Sequence, residues 1–342
     1  MEASETNPKT TRNTMNIFTR AALSILGLAA LTTGALANGR NPGSLLVYPE
    51  FAQGNGTDTI LTVTNTNSTT GVRVHLWYIS GDDATRCQET NRIVNLLPRD
   101  TFTALVSAHI TALGPQKGFV YVYAESSSGQ PISFNYLVGD LLIVNGALAN
   151  QYSVEVLPFR SPKADGETTR SDQDSILDLN DVEYEKAPAK VIVPRFMGQS
   201  VNAPFQSDLV LLSLSGGRNF TTIVDFLAFN DNEEVFSAQH QFSCWKKTAL
   251  LNINGIFSKT FLQNYTNDNP NEVLGAPTEE AGFFTVDGNV AYSTTADILD
   301  PVVIAVLIEK SGTGEIAAEL PFFQGTQLKG DLLPTGNGWD GD

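Results

Sequence analysis

Histidine, cysteine and positive charge are what this chain has least of. Three histidines (His75, His109, His240) and two cysteines (Cys87, Cys244) stand among 342 residues. Of these only His240 and Cys244 fall four apart, so no dense His/Cys set for zinc or copper is present. No G-x-S-x-G, H-E-x-x-H or Walker segment occurs, which removes the local signatures of serine hydrolases, zincins and P-loop NTPases. Lys and Arg number 21 against 37 Asp and Glu, for a formal charge of −16. A surface of that sign repels phosphate backbones and anionic lipid, so a nucleic-acid partner is excluded. Past residue 37 there is no sustained 3.6-residue period, and no apolar run of spanning length, so no membrane span is expected.

The opening residues carry a different signal. "MNIFTRAALSILGLAALTTGALA" places Arg20 before an apolar run and closes on Ala35-Leu36-Ala37. That order is a secretory signal peptide, so residues 1–37 are expected to be removed, with Met15 as an alternative start. The remaining 305 residues, with a formal charge of −17, are long enough for two domains. Such a product is expected to be secreted, at the cell surface or in a periplasm.

The chain then repeats itself. "VYPEF" (47–51) is echoed by "IVPRF" (192–196), and "VEVLPF" (154–159) by "AAELPF" (317–322). Between them "GFVYVYAE" (118–125) corresponds to "GFFTVDG" (282–288), and "PISFNYLVGD" (131–140) to "PVVIAVLIEK" (301–310). Pro49 to Pro158 is 109 residues and Pro194 to Pro321 is 127; the 18 extra match the polar stretch 263–280. A period above 100 residues means duplicated domains rather than a solenoid.

Leu61 and Val63 alternate with threonines, and Val72, Val74 and Leu76 with Arg73, His75 and Trp77. Period-two alternation rich in β-branched and aromatic residues predicts half-buried antiparallel strands, and Gly/Asn/Asp/Ser clusters separate them. The expected fold is all-β: two tandem β-sandwich domains, Ig-like or jelly-roll, over 38–160 and 190–323. Residues 161–189 are expected to be an acidic, solvated linker, within which "SILDLNDVEY" (175–184) could instead form a short helix or add an edge strand to one sandwich; 263–280 is expected to be a loop insertion and 324–342 a flexible tail.

Candidate chemistry is sparse. Export would let Cys87 and Cys244 form a disulfide; otherwise both are buried thiols, or Cys244 is a nucleophile with His240 as its base. Asp172, Asp174 and Glu183 have the 1, 3, 12 spacing of a calcium loop, but Ile176 and Leu177 replace the next ligand and the turn glycine. "NDNEE" (230–234) and "NDNP" (267–270) offer further oxygens, or are ordinary Asn/Asp turns. No other cofactor is implied. Phe119, Tyr121 and Tyr123 share a strand face, with Trp77 on another strand. Trp77, Tyr121 and Tyr123 are the candidates for stacking a sugar, against the alternative that they pack as core.

At "TILTVTNTNSTTGVRVHLWYIS" the sequence resembles Ig-like modules of exported bacterial proteins. With "LLVYPEF" ahead of it, the opening is similar to uncharacterised exported bacterial proteins of the same tandem plan. The resemblance implies a surface or extracellular place and a non-catalytic role. The resulting expectation is a structural or adhesive protein of the cell surface, matrix or an extracellular filament. It would self-associate through an N-terminal strand donated from "NGRNPGSLLVYPEF" to a neighbour. A carbohydrate-binding protein with a glycan partner is the alternative, and an extracellular hydrolase the third reading.

Overall fold

A computed structural model describes residues 41–342, other than 112–113, 173–175, 201–204, 231–233, 266–279, 313, 320–321, 329 and 333–342. The expected signal peptide, most of the 263–280 insertion, "NDNP" and the end of the tail lie outside the described residues. In the N-terminal half the strands are β1 (Leu45–Ala52), β2 (Thr57–Asn65), β3 (Val72–Ser80), β4 (Glu89–Leu96), β5 (Thr101–Leu105), β6 (Lys117–Glu125), β7 (Leu137–Asn145), β8 (Asn150–Val154) and β9 (Leu157–Phe159). After β10 (Leu177–Leu179) come β11 (Ala187–Met197), β12 (Phe205–Ser213), β13 (Thr221–Asn230), β14 (Val235–Phe242), β15 (Trp245–Ala249), β16 (Ala281–Tyr292) and β17 (Asp297–Leu299). The last strands are β18 (Val303–Ser311), β19 (Gly314–Glu319), β20 (Phe322–Leu328) and β21 (Gly330–Leu332). The α-helices are short: α1 (Val106–His109) and α2 (Leu250–Ile253) are single turns, and α3 (Lys259–Tyr265) is about two.

The fold is all-β and sandwich-like, and the two halves share one strand order. The N-terminal half has a large sheet β4-β3-β6-β1-β9 and a small sheet β5-β2-β7-β8. The C-terminal half has β14-β13-β16-β11-β20, with β17 on β16, and β15-β12-β18-β19. Each half packs its small sheet on one face of its large one. Leu61 and Val63 point inward on β2 while Thr62 and Thr64 stay half-exposed, as the alternation requires.

The echoed motif has a mechanical reason. The β1–β6 ladder loses register between Tyr48 and Phe51, and the β11–β16 ladder between Val193 and Phe196. Pro49 and Pro194 sit in these bulges, where a residue with no N–H costs no ladder bond. After each bulge Phe51 pairs with Gly118 and Phe196 with Gly282. A methyl at Gly118 would overlap the Ile79 carbonyl, and one at Gly282 the Phe229 carbonyl. The "PEF/PRF" and "GF" echoes are therefore one bulge and its obligatory glycine, used twice.

Both faces of the small C-terminal sheet are buried. Leu209, Leu211, Val303, Ala305 and Leu307 join the core of the C-terminal half. The alternate residues Val210, Leu212, Ile304, Val306 and Ile308 join the core of the N-terminal half. β1 is likewise buried along its length: Leu46 and Tyr48 pack toward Gly139 of the small sheet, and Leu45 and Val47 lie on the opposite face. The chain from Pro42 onward accordingly clusters as one compact unit.

Three expectations are corrected here. The stretch 161–189 is not a solvated linker: Leu177, Leu179 and Tyr184 are buried in the N-terminal core, and β10 pairs with β21. Its few apolar residues supply cover that an acidic composition concealed. The tail from 324 begins as strand, since β20 pairs with β11. β1 is held between β6 and β9 of its own sheet. Both its edges are thus occupied, so the segment proposed for a neighbour's sheet edge is used within the chain.

Candidate functional site

The aromatic residues singled out from the sequence do form a row. Trp77 pairs with Tyr121 across β3 and β6. Their rings stack at 5.9 Å with 1° between planes, and Tyr121 stacks on Tyr123 at 6.4 Å. The row continues through His75, whose Nδ1 lies 3.0 Å from Glu125 Oε2 and 3.2 Å from the Tyr123 hydroxyl. Arg73 pairs with the same buried carboxylate. Yet Tyr121 is 2% and Tyr123 7% exposed, and burial pushes both phenols above their ordinary pKa. Tyr184 lies near enough to Tyr123 for the two phenols to interact electrostatically. A sugar cannot reach rings enclosed in this way; the row is core, which corrects the ligand-stacking assignment of Tyr121 and Tyr123.

The seam between the halves holds a disulfide and a buried polar cluster. Cys87 and Cys244 are joined, with Sγ–Sγ 1.98 Å and Cα–Cα 6.1 Å. The Cys244 sulfur is thereby unavailable as a nucleophile or metal ligand beside His240, whose pKa is lowered by burial. Next to it the Trp245 indole N–H donates to the Pro49 carbonyl at 2.8 Å, and the ring lies so close over Gly81 that a methyl there would overlap it. Lys247 reaches Glu50 Oε1 at 2.8 Å, Glu315 Oε1 at 2.5 Å and the Tyr152 hydroxyl at 3.0 Å. Burial raises the Glu50 carboxyl despite this partner. For Lys247 burial acts downward, but two carboxylates outweigh it and hold the ammonium above its ordinary pKa. The echo of Glu50 is Arg195, which instead pairs with Glu309 inside its own half, at 2.8 and 3.2 Å. One charged position has thus acquired opposite duties in the two copies of the motif.

The remaining histidine, His109, bonds the Tyr78 hydroxyl at 2.7 Å, and burial lowers its pKa. Two sets of acid, base and hydroxyl do converge among the described residues, His75 with Glu125 and Tyr123 and Lys247 with Glu50 and Tyr152, and in both the groups bond to one another and are largely buried.

Among the acidic candidates, Asp172 and Glu183 do approach one another. Their third companion is Asp178, with one oxygen from each within 4.8 Å of the others; Asp174 lies outside the described residues. Glu183 is fully buried, and its two oxygens accept the Ser171 N–H at 2.5 Å and the Asp178 N–H at 3.2 Å. Burial raises its pKa. Those bonds tie Glu183 to Ser171 and Asp178. Of the "NDNEE" candidate only Asn230 and Glu234 are described, and the Glu234 N–H donates to Asn230 Oδ1 at 2.9 Å; 231–233 lie outside the described residues.

A group of exposed apolar side chains lies on the outer face of β14-β13-β16-β11-β20. Across it run Leu227, Thr285, Ile192 and Phe322 in one row of cross-strand partners, and Val235, Phe229 and Phe283 in the next. Phe229 and Phe283 stack at 4.6 Å. Leu227 is 39%, Phe283 38%, Val235 55% and Phe322 62% exposed. A third row is polar and internally paired: Lys190 with Asp287 at 3.0 Å, and Gln239 and Asn289 each with Asp225 at 2.7 Å. Between the rows lies a shallow groove of about 570 Å³ lined by Lys190, Asp225, Leu227, Gln239, Thr285 and Asp287.

The corresponding residues of the N-terminal half, placed by the shared bulge and register, are Trp77, Tyr121, Val47 and Leu157, then Ile79 and Phe119. Most of these are buried, and Trp77 packs against the same core. Sequence reasoning missed the open face because each strand carries only two or three of its residues.

Comparison with known proteins adds little to this description. The chain matches no family model and no curated protein. Among solved structures it is similar to a protein in a structure of Broad Bean Stain Virus, at 12% identity over 80% of this chain and 79% of that one, with a TM-score of 0.16. It is also similar to the lectin of Pleurotus ostreatus in its apo form, at 11% identity over 86% and 80%, with a TM-score of 0.13. At such scores neither likeness bears on fold or activity.

Proposed function

We propose that the protein is a non-catalytic structural or adhesive component that acts outside the cytoplasm and associates with itself. In this reading it is built from two copies of one β-sandwich domain of Ig-like or jelly-roll type. The observation that carries the proposal is the seam. One copy's small sheet lies on the outer face of the other copy's large sheet, and that leaves the second large sheet with the same kind of face uncovered. A domain that already docks on its own twin has the chemistry for association. The buried disulfide and the signal-like opening support an oxidising location. The burial of the acid–base groups that do converge weakens the hydrolase reading. The glycan reading loses Tyr121 and Tyr123 to the core.

Light scattering behind size exclusion on residues 38–342 tests the proposal. Mass above that of a single chain, rising with concentration, is the expected result. A single-chain mass throughout the accessible range refutes it.

A further inference from the structure

We infer that the open outer face of β14-β13-β16-β11-β20 docks on the same face of a second copy of this chain, about a two-fold axis. The inference rests on the self-association reading and names its surface. Three observations carry it. First, most of its counterpart in the N-terminal half is covered, across β6, β1 and β9, and much of the cover is a sheet of this same chain. In this fold that face is where one domain meets another. Second, the face has the size an interface needs. Five strands about 4.8 Å apart and roughly 30 Å long give a footprint of about 700 Å², near the ~800 Å² per partner of a standard interface. Third, its charged groups already have partners: Lys190 has Asp287 as its counter-ion, and Asp225, the row's one unneutralised charge, accepts hydrogen bonds from Gln239 and Asn289. Burying pairs that keep their hydrogen bonds costs far less than burying lone charges, and on a chain of net charge −16 such a face is where two copies can approach.

A head-to-tail contact would instead need the outer face of β5-β2-β7-β8. There Thr62, Thr103 and Asp140 pair across the strands, whereas the buried counterpart sheet brings Val210, Lys247 and Val306 together. That face does not reproduce the apolar seam, so the self-complementary contact is the one the chemistry favours.

The test is sedimentation equilibrium on the full chain up to about 100 μM, where a contact of standard size is populated. The comparison set is Leu227→Glu, Phe283→Glu, Ser237→Arg and, on the other sheet, Thr62→Glu. All four side chains lie on outer faces, and near-ultraviolet circular dichroism checks that each variant keeps its fold. The expected result is a dimer whose Kd weakens at least about tenfold with each of the first three variants and is unchanged by Thr62→Glu. Folded variants that still dimerise like the parent overturn this face while leaving self-association standing. Loss of the dimer in Thr62→Glu overturns the two-fold arrangement in favour of a head-to-tail one. A parent chain that stays monomeric overturns both readings. So does a monomer that binds an oligosaccharide through this groove.

Discussion

Replacing Lys247 with methionine probes how the two halves are held together. The Glu50 side chain is 2% exposed and the Glu315 side chain 27%. Without the ammonium, Glu315 can turn to water, but Glu50 is left as a buried carboxylate. Removing one partner of a buried pair costs about 3–5 kcal/mol, and nearly all of it here falls on Glu50. The cost depends on pH in a defined direction. Burial already holds the Glu50 pKa above its ordinary 4.5, and loss of Lys247 lifts it further. A carboxyl with a raised folded pKa keeps its proton where the unfolded chain has lost it, so its effect on stability worsens as pH rises through that window. The variant should therefore lose about 3–5 kcal/mol in urea unfolding at pH 7. The deficit should shrink as the pH is lowered toward 4.5, because a protonated Glu50 needs no cation. Adding Glu50→Gln should recover most of the loss at pH 7. A deficit under about 1 kcal/mol at pH 7, typical of an exposed pair, or one independent of pH, would refute this account of the seam.

Other perturbations separate core from site. Cys87→Ala with Cys244→Ala opens a link spanning 157 residues, for which the chain-entropy model gives up to about 5 kcal/mol; a denaturant midpoint unmoved from the parent would contradict it. Tyr121→Ala should cost about 3–5 kcal/mol as a core truncation, read by thermal unfolding, whereas a neutral effect on stability would return this residue to the list of surface groups. Gly81→Ala pushes a methyl into the Trp245 ring and should cost about 1–3 kcal/mol, with a change in Trp fluorescence as the second readout. The lowered His109 pKa places its contribution to stability above the ordinary histidine value of 6.5, to be lost as pH falls below it. His109→Asn should flatten that part of the stability profile, and an unaltered profile would assign the acid sensitivity to another group.

Much of the architecture could be read from particular residues. The alternation of Leu61 and Val63 with threonines marked a strand with one wet face, and the repeated Pro-x-Phe and Gly-Phe pairs marked a duplication, though not the bulge that they build. "DLVLLSL" and "VVIAVLI" also held a message that alternation alone does not convey. A continuous apolar strand has both faces buried, and these are the strands that lie between the two cores. The site was harder to read. Trp77, Tyr121 and Tyr123 have the spacing of a stacking surface, and what encloses them comes from Tyr184 and from strands more than 80 residues away. Glu50 and Lys247 stand 197 positions apart, and no local pattern links them. Their meeting depends on how one half is set on the other, a three-dimensional relation that periodicity does not carry.

The covered face has a consequence for how the chain comes into being. Chains are made from the N-terminus, and domains generally begin to fold in that order. The strands β1 to β9 are complete when the face bearing Leu45, Val47 and Tyr121 still lacks Val210, Leu212, Ile304 and Val306, whose codons lie downstream. For that interval the nascent protein displays a broad oily sheet with nothing to seal it. Two newly made chains side by side could each close the other's wound by exchanging halves, a swapped pair with the same contacts as the single chain. The duplicated plan thus places a timing problem inside the molecule, and dilute, unhurried synthesis becomes part of what selects the closed form.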